Sequence, residues 1–222
     1  MNTEKVDFAQ LTEIHYHIDL TYDCNWYCSY CCADTHNRDI IDDEKVLSQI
    51  NKAPKGSIVS FSGGEPGLLS EERIIKYCEL LKEKDCVLTV DTNGLFLKRH
   101  PHVVNQYISD VLYHCVENIR DRKDITLYDF DHIPKNENFL YQLVFTDDDS
   151  IEDVHYYLDK YPDIKFALIS ANNAIVNGKY IKGIDRKKGF KLYQLFKDRI
   201  FLPHAPLLFL ETNKHENCKD LM

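Results

Sequence analysis

Four of the chain's eight cysteines crowd into residues 24–32, in the run Cys24-Asn-Trp-Tyr-Cys28-Ser-Tyr-Cys31-Cys32, while Cys78, Cys86, Cys115 and Cys218 are scattered. Three residues separate the first pair and two the next, so one loop can wrap three thiolates around a common centre. Thiolates are the natural ligands of iron–sulfur clusters. A cluster of four irons held by three cysteines keeps one iron open to a small chelating ligand. Taken alone, the trio also suits a zinc knuckle completed by Cys32 or His36, because Zn²⁺ takes four such ligands. Cys32 directly follows a ligand, and adjacent cysteines rarely both reach one cluster, so it reads as a bystander.

Two further segments join this loop. Ser62-Gly63-Gly64-Glu65-Pro66 and Asp91-Thr92-Asn93-Gly94 each close an apolar run. Glycine lets backbone approach a ligand that any Cβ would obstruct, although a glycine pair by itself is more often a tight turn. The C-x3-C-x2-C loop with Tyr30 before its third cysteine, the GGE segment and the TNG segment occur in this order. Together, over residues 14 to about 170, they resemble the radical S-adenosylmethionine (SAM) superfamily. The resemblance implies a 4Fe–4S cluster on Cys24, Cys28 and Cys31, with the SAM amine and carboxylate chelating the open iron. It implies reductive cleavage of SAM to methionine and a 5′-deoxyadenosyl radical, which abstracts hydrogen from a substrate.

The same resemblance distributes the SAM contacts. The amine belongs at the Gly63-Gly64 edge with Glu65, the adenine beside Tyr30, and Thr92 and Asn93 on the rim. On the fourth strand His114 or Glu117 would meet the ribose. No catalytic residue stands out; His114, Cys115 and Glu117 are the candidates. His114 and Cys115 point to opposite sides of a strand, so only one faces the lumen. Cys115 is read first as an inert buried thiol. His15 and His17, alternating with the apolar face of the first strand, are read as structural or solvent-facing.

The elements that must hold these motifs alternate along the chain. Strand periodicity runs through 13–20, 57–62, 86–91, 109–116, 139–145 and 164–169. Helical stretches follow Asp42, Ser70 and Ser150, residues suited to N-caps, and a closing helix covers 187–198. Strands separated by helices imply right-handed βαβ units and a parallel sheet. The expected fold is α/β, an open, partial (β/α)6 parallel barrel over 1–198, with a tail over 199–222 packing on its outside. All three motifs then sit at C-terminal strand ends, where such barrels carry their sites. Residues 117–138 are expected as a lid-like loop, and 174–181, with Asn177-Gly178 at its centre, as a hairpin.

Composition sets the outer bounds. A hydrophobic content of 44% supports a real core, and 27 basic against 36 acidic residues give a net charge of −9. A field of that sign repels polyanions and counts against bulk nucleic-acid binding. No apolar run approaches the roughly 20 residues of a membrane span, and MNTEKVDFAQ lacks a signal-peptide core. A cytoplasmic enzyme is expected, fed electrons by a donor such as flavodoxin or ferredoxin and acting on a small molecule or peptide. Only Cys218 follows Cys115, so the chain resembles small family members without a cysteine-rich C-terminal extension. An activating enzyme that makes a glycyl radical on a partner protein is a second reading, supported by the VDTNG and FTDDDS wording. It is weakened by His114-Cys115-Val116 where those enzymes carry an Asp-x-Lys pair. A non-catalytic iron–sulfur carrier or sensor is a third.

Overall fold

The computed structural model describes residues 15–26, 28, 30–31, 41–114, 139–160, 162–163, 165–171, 173–176 and 179–201. Alternating apolar residues build the first strand, β1 (His15–Thr21), and β2 (Ile58–Gly63), β3 (Val87–Thr92), β4 (Asp110–His114), β5 (Phe139–Phe145) and β6 (Phe166–Ser170) follow. All pair in parallel, in the order of the chain, and Ile200–Phe201 (β9) adds a seventh strand beside β6. Among the described residues the edge strands β1 and β9 are not paired, as in an open, partial barrel. The expected tail begins beside the sheet. Apolar Ile200 pairs with Phe166 and extends the sheet itself, while 202–222 lie outside the described residues.

Each strand has two unlike faces. Ile18, Leu20, Val59, Phe61, Val90, Leu143 and Phe166 are fully buried on the outer face, against the helices. Each such side chain stabilises the fold by about 1.5–3 kcal/mol relative to exposure. α1 (Asp43–Lys52) contributes Val46 and Ile50 to this layer, and α2 (Glu71–Lys82) contributes Ile74, Tyr77, Cys78 and Leu81. Asp42 caps α1 by accepting from the Lys45 amide at 2.8 Å. Ser70 occupies the N-cap of α2 but makes no side-chain cap bond. The two helices are clamped where Asp43 accepts from Arg73, Lys76 and Tyr77.

On the first three strands the inner face is polar. His17 and Asp19 alternate with Ile18 and Leu20, and the register sets His17 beside Ser60 and Ser60 beside Thr89. The apolar residues of β1 face the helices and its polar ones face the lumen, where the His17 side chain is 57% exposed, in keeping with its reading as solvent-facing.

Two short helices went unread in the sequence, α3 (Leu95–Arg99) and α4 (Pro101–Tyr107). Each is under two turns long, too short for periodicity to register. Gly94, at φ 102°, starts α3, and Pro101 occupies the first turn of α4. α5 (Ile151–Lys160) and α6 (Arg186–Phe196) complete the helices, the latter capped by Asp185. The expected hairpin is present as antiparallel β7 (Ala174–Val176) and β8 (Lys179–Ile181), with residues 177–178 outside the described set.

Candidate active site

The loop after β1 starts from a locked geometry. The Thr21 hydroxyl accepts from the Asp23 amide at 3.0 Å, and the Trp26 amide points at Cys24 Sγ at 3.4 Å. The Cys31 amide then bonds back to the Cys28 carbonyl at 3.1 Å. Cys24, Cys28 and Cys31 are reduced and half-buried, and all three line one cleft of about 830 Å³ at the C-terminal ends of the strands. Burial pushes the Cys24 thiol up to about 11, and nearby Glu65 adds to the rise. Among the described residues no three His, Cys, Asp or Glu side chains converge on a single ion position. A 4Fe–4S cluster asks for something different, one thiolate for each of three irons. Cys32 and His36, the residues that would complete a zinc knuckle, lie outside the described residues.

The end of β2 is pressed onto that loop. The Gly64 amide donates to the Thr21 carbonyl at 2.6 Å, and the Glu65 amide to the Asp23 carbonyl at 2.8 Å. A Cβ on Gly64 would stand 2.0 Å from the Asp23 carbonyl oxygen, and one on Gly63 would stand 2.5 Å from that of Thr21. Gly63 also has φ 100°, where side chains are strained. The glycines are therefore needed first for packing the GGE segment against the cysteine loop. Backbone left bare on their cleft side is a cradle of the kind a small amino-acid ligand requires.

The Glu65 side chain does not reach into the cleft as a free carboxylate. It is 1% exposed and accepts from the amides of Gly67 at 2.8 Å, Asn93 at 2.8 Å and Phe96 at 3.2 Å. The Thr92 hydroxyl, itself buried, donates to it at 2.9 Å. Burial pushes this carboxyl up, against the pull of those donors. Glu65 is thus a buried keystone joining the second motif to the third. From there the Asn93 side chain donates through Nδ2 to Asn25 Oδ1 at 2.9 Å and points at Cys24 Sγ at 3.8 Å. The three segments form one connected unit.

Tyr30 reaches across the cleft. It packs against the apolar group of Val144, Ala171 and Ile181, at the far side of the barrel from β1. In the wall below, Asp91 accepts from Ser60 at 2.9 Å and its Oδ2 lies 4.0 Å from His17 Nδ1. His17, Asp19 and Asp91 line the cleft as well. The alternation of His17 and Asp19 with Ile18 and Leu20 was the signal available for β1.

The fourth strand settles less. The backbone register pairs His114 with Gln142, while Cys115, Glu117 and the whole 117–138 segment lie outside the described residues.

Two solved structures similar to this fold are of native anSMEcpe. One, with bound AdoMet and the Cp18Cys peptide, is 22% identical, covers 83% of this chain and 58% of that one, and has a TM-score of 0.55. The other, with AdoMet alone, is 19% identical, covers 83% and 60%, and has a TM-score of 0.56. The chain thus spans about three-fifths of the length of those it resembles. No curated protein matches its sequence. The sequence matches the radical SAM superfamily across residues 18–136, which takes in the cysteine loop, the GGE edge and the TNG segment just described. With more than half its length matched and all three motifs gathered on one cleft, this chain is an enzyme of the radical SAM superfamily.

Proposed function

We propose that the chain holds a 4Fe–4S cluster on Cys24, Cys28 and Cys31 and binds SAM across the cleft, to modify a small molecule or peptide by hydrogen abstraction. The observation that carries this reading is the convergence of three thiols, the bare Gly63-Gly64 edge and the Thr92-Asn93 rim on one cleft. When bound, the cluster supplies the electron that cleaves SAM to methionine and a 5′-deoxyadenosyl radical. The chain's own residues do the placing. Gly63 and Gly64 offer backbone to the SAM amine, Glu65 holds that edge to the TNG segment from behind, and Asn93 braces the loop at Asn25. Tyr30 closes one side of the cleft and shields it from water. His114 keeps its place as a candidate contact to the ribose. The electron would come from a cytoplasmic donor such as reduced flavodoxin or ferredoxin.

Anaerobic reconstitution tests the reading directly. The protein should bind about four irons and, with strong reductant, form 5′-deoxyadenosine from SAM even without its substrate. Cys24→Ala, Cys28→Ala and Cys31→Ala should each lose the chromophore and the product. Stoichiometric zinc in place of iron, or a reduced cluster that leaves SAM intact, would overturn it.

A further inference from the structure

Asn93, just past the end of β3, has its side chain pinned at both ends. The residue is 6% exposed, and its backbone N–H donates to Glu65 Oε2 at 2.8 Å. Its Oδ1 accepts from the Leu95 amide, at the start of α3, at 3.2 Å. A backbone N–H can only donate, so this bond decides which end of the carboxamide is oxygen and which is nitrogen. Nδ2 therefore faces the cysteine loop. There it donates to Asn25 Oδ1 at 2.9 Å and stands 3.8 Å from Cys24 Sγ, within reach of an N–H···S contact. A carboxamide nitrogen carries two N–H groups, so one serves Asn25 and the second is directed to the sulfur. The same sulfur meets the Trp26 amide at 3.4 Å. That donor belongs to the loop's own backbone, two residues on, whereas Asn93 comes from 69 residues away.

We infer that Asn93, through its Nδ2–H contact with Cys24 Sγ, raises the reduction potential of the cluster assigned to that cysteine. The inference rests on the function proposed above and deepens it: Asn93 is a positioning residue that acts through a ligand sulfur. An added electron increases the negative charge carried by the ligand sulfurs. An N–H aimed at such a sulfur then stabilises the reduced form more than the oxidised one. Hydrogen bonds to the sulfurs and solvent exposure are two of the levers that set these potentials. Burial keeps this N–H dipole from being screened by water. The step it governs is a plain electron transfer, in which one electron passes from an external low-potential donor and no bond or proton changes place. Without the contact, less of the cluster is reduced at a given donor potential, and less is ready to cleave SAM.

Redox titration of cluster-loaded, SAM-free protein tests this without any substrate. Titanium(III) citrate serves as the electron donor, and electron paramagnetic resonance reads the reduced cluster. Asn93→Ala removes the donor. Its reduced-to-oxidised ratio at a fixed poise should fall about threefold to tenfold, the range of one ordinary hydrogen bond. For a one-electron couple that is a shift of roughly 30–60 mV to lower potential. Asn93→Asp keeps the oxygen that accepts from Leu95 and sets a second oxygen against the sulfur, so its potential should fall further. The titration is run at about pH 8.5, well above the range of a carboxyl, to hold that oxygen ionised. A purely structural role gives the opposite sign, because a loosened loop admits water whose donors reach the sulfurs. An unchanged or raised potential in either variant that holds the cluster overturns the inference. So does loss of the cluster from both variants while the wild type loads, which assigns Asn93 to holding the loop. A wild-type protein that takes up no cluster instead defeats the underlying function, a result distinct from a loaded protein whose potential ignores Asn93.

Discussion

Replacing Glu65 by Gln removes one oxygen's worth of acceptor and keeps the shape. Oε1 of the native carboxylate accepts from Gly67 and Phe96, and Oε2 accepts from Asn93. A glutamine can present its carbonyl oxygen to the first pair only by turning its NH₂ toward the Asn93 amide, donor against donor. One buried N–H is then stranded, at about 1–3 kcal/mol, and the remaining bonds lose their charge assistance. Burying a neutral amide rather than a carboxylate returns part of this, which leaves a net loss of about 2 kcal/mol. Glu65→Ala strands all the donors and opens a cavity, for at least about 4 kcal/mol, a large share of a domain's stability of roughly 5–15 kcal/mol. Urea unfolding of the reduced apoprotein, followed by circular dichroism under anaerobic conditions, measures both. Iron content after reconstitution should fall together with SAM affinity, because Glu65 holds the backbone of Asn93, whose side chain reaches Asn25 and Cys24. A Glu65→Gln protein that unfolds at the wild-type midpoint would refute the keystone role. One that keeps its cluster but loses SAM would show that the carboxylate serves the ligand rather than the loop.

Gly64→Ala places a methyl 2.0 Å from the Asp23 carbonyl oxygen, so it should cost about 1–3 kcal/mol and weaken SAM binding, readable by unfolding and by dialysis. Cys78→Ala should keep full iron content: Cys78 is wholly buried in α2 within the core and does not line the cleft that Cys24, Cys28 and Cys31 share, so it is no ligand. Asp43→Asn should destabilise by about 1 kcal/mol at pH 7, a modest figure because the pair is partly solvated and screened. Lys76, Tyr77 and Arg73 hold the Asp43 carboxyl well below the usual carboxylate range. Its contribution is therefore present above the unfolded pKa of about 4 and is lost as pH falls toward the folded value, so mutant and wild-type unfolding curves should converge in acid. Tyr30→Ala should leave the iron content near four per chain yet speed the loss of the cluster in air, because Tyr30 ties the cysteine loop to Val144 and Ala171.

Much of the fold was legible because it is local. β5 runs from Phe139 to Phe145 as its apolar pattern demands, and the other five expected strands appear within two residues of their predicted bounds. α3 and α4 were missed because five and seven residues carry too few turns for a helical period. β9 was missed because two residues make a strand only by pairing with β6. The cysteine loop, the GGE edge and the TNG segment were found by residue type, spacing and order, none of which requires a third dimension.

What each of those residues does was decided by contacts between segments distant in sequence. The sequence by itself determined that three thiols, a glycine edge and a polar rim lie at successive strand ends, because hydrophobic periodicity sets the strands and chirality sets their right-handed, parallel order. It could not show that Glu65 turns inward to Gly67 and Phe96, since an acidic residue after two glycines looks the same whether it meets a ligand or a backbone amide. Nor could it show that Tyr30 crosses to Val144, or that Ser60 and His17 converge on Asp91. Those pairings span 31 residues or more and follow from strand register and barrel curvature. Register is a property of the assembled sheet, in which shifting one strand by a single residue exchanges its lumen face for its core face.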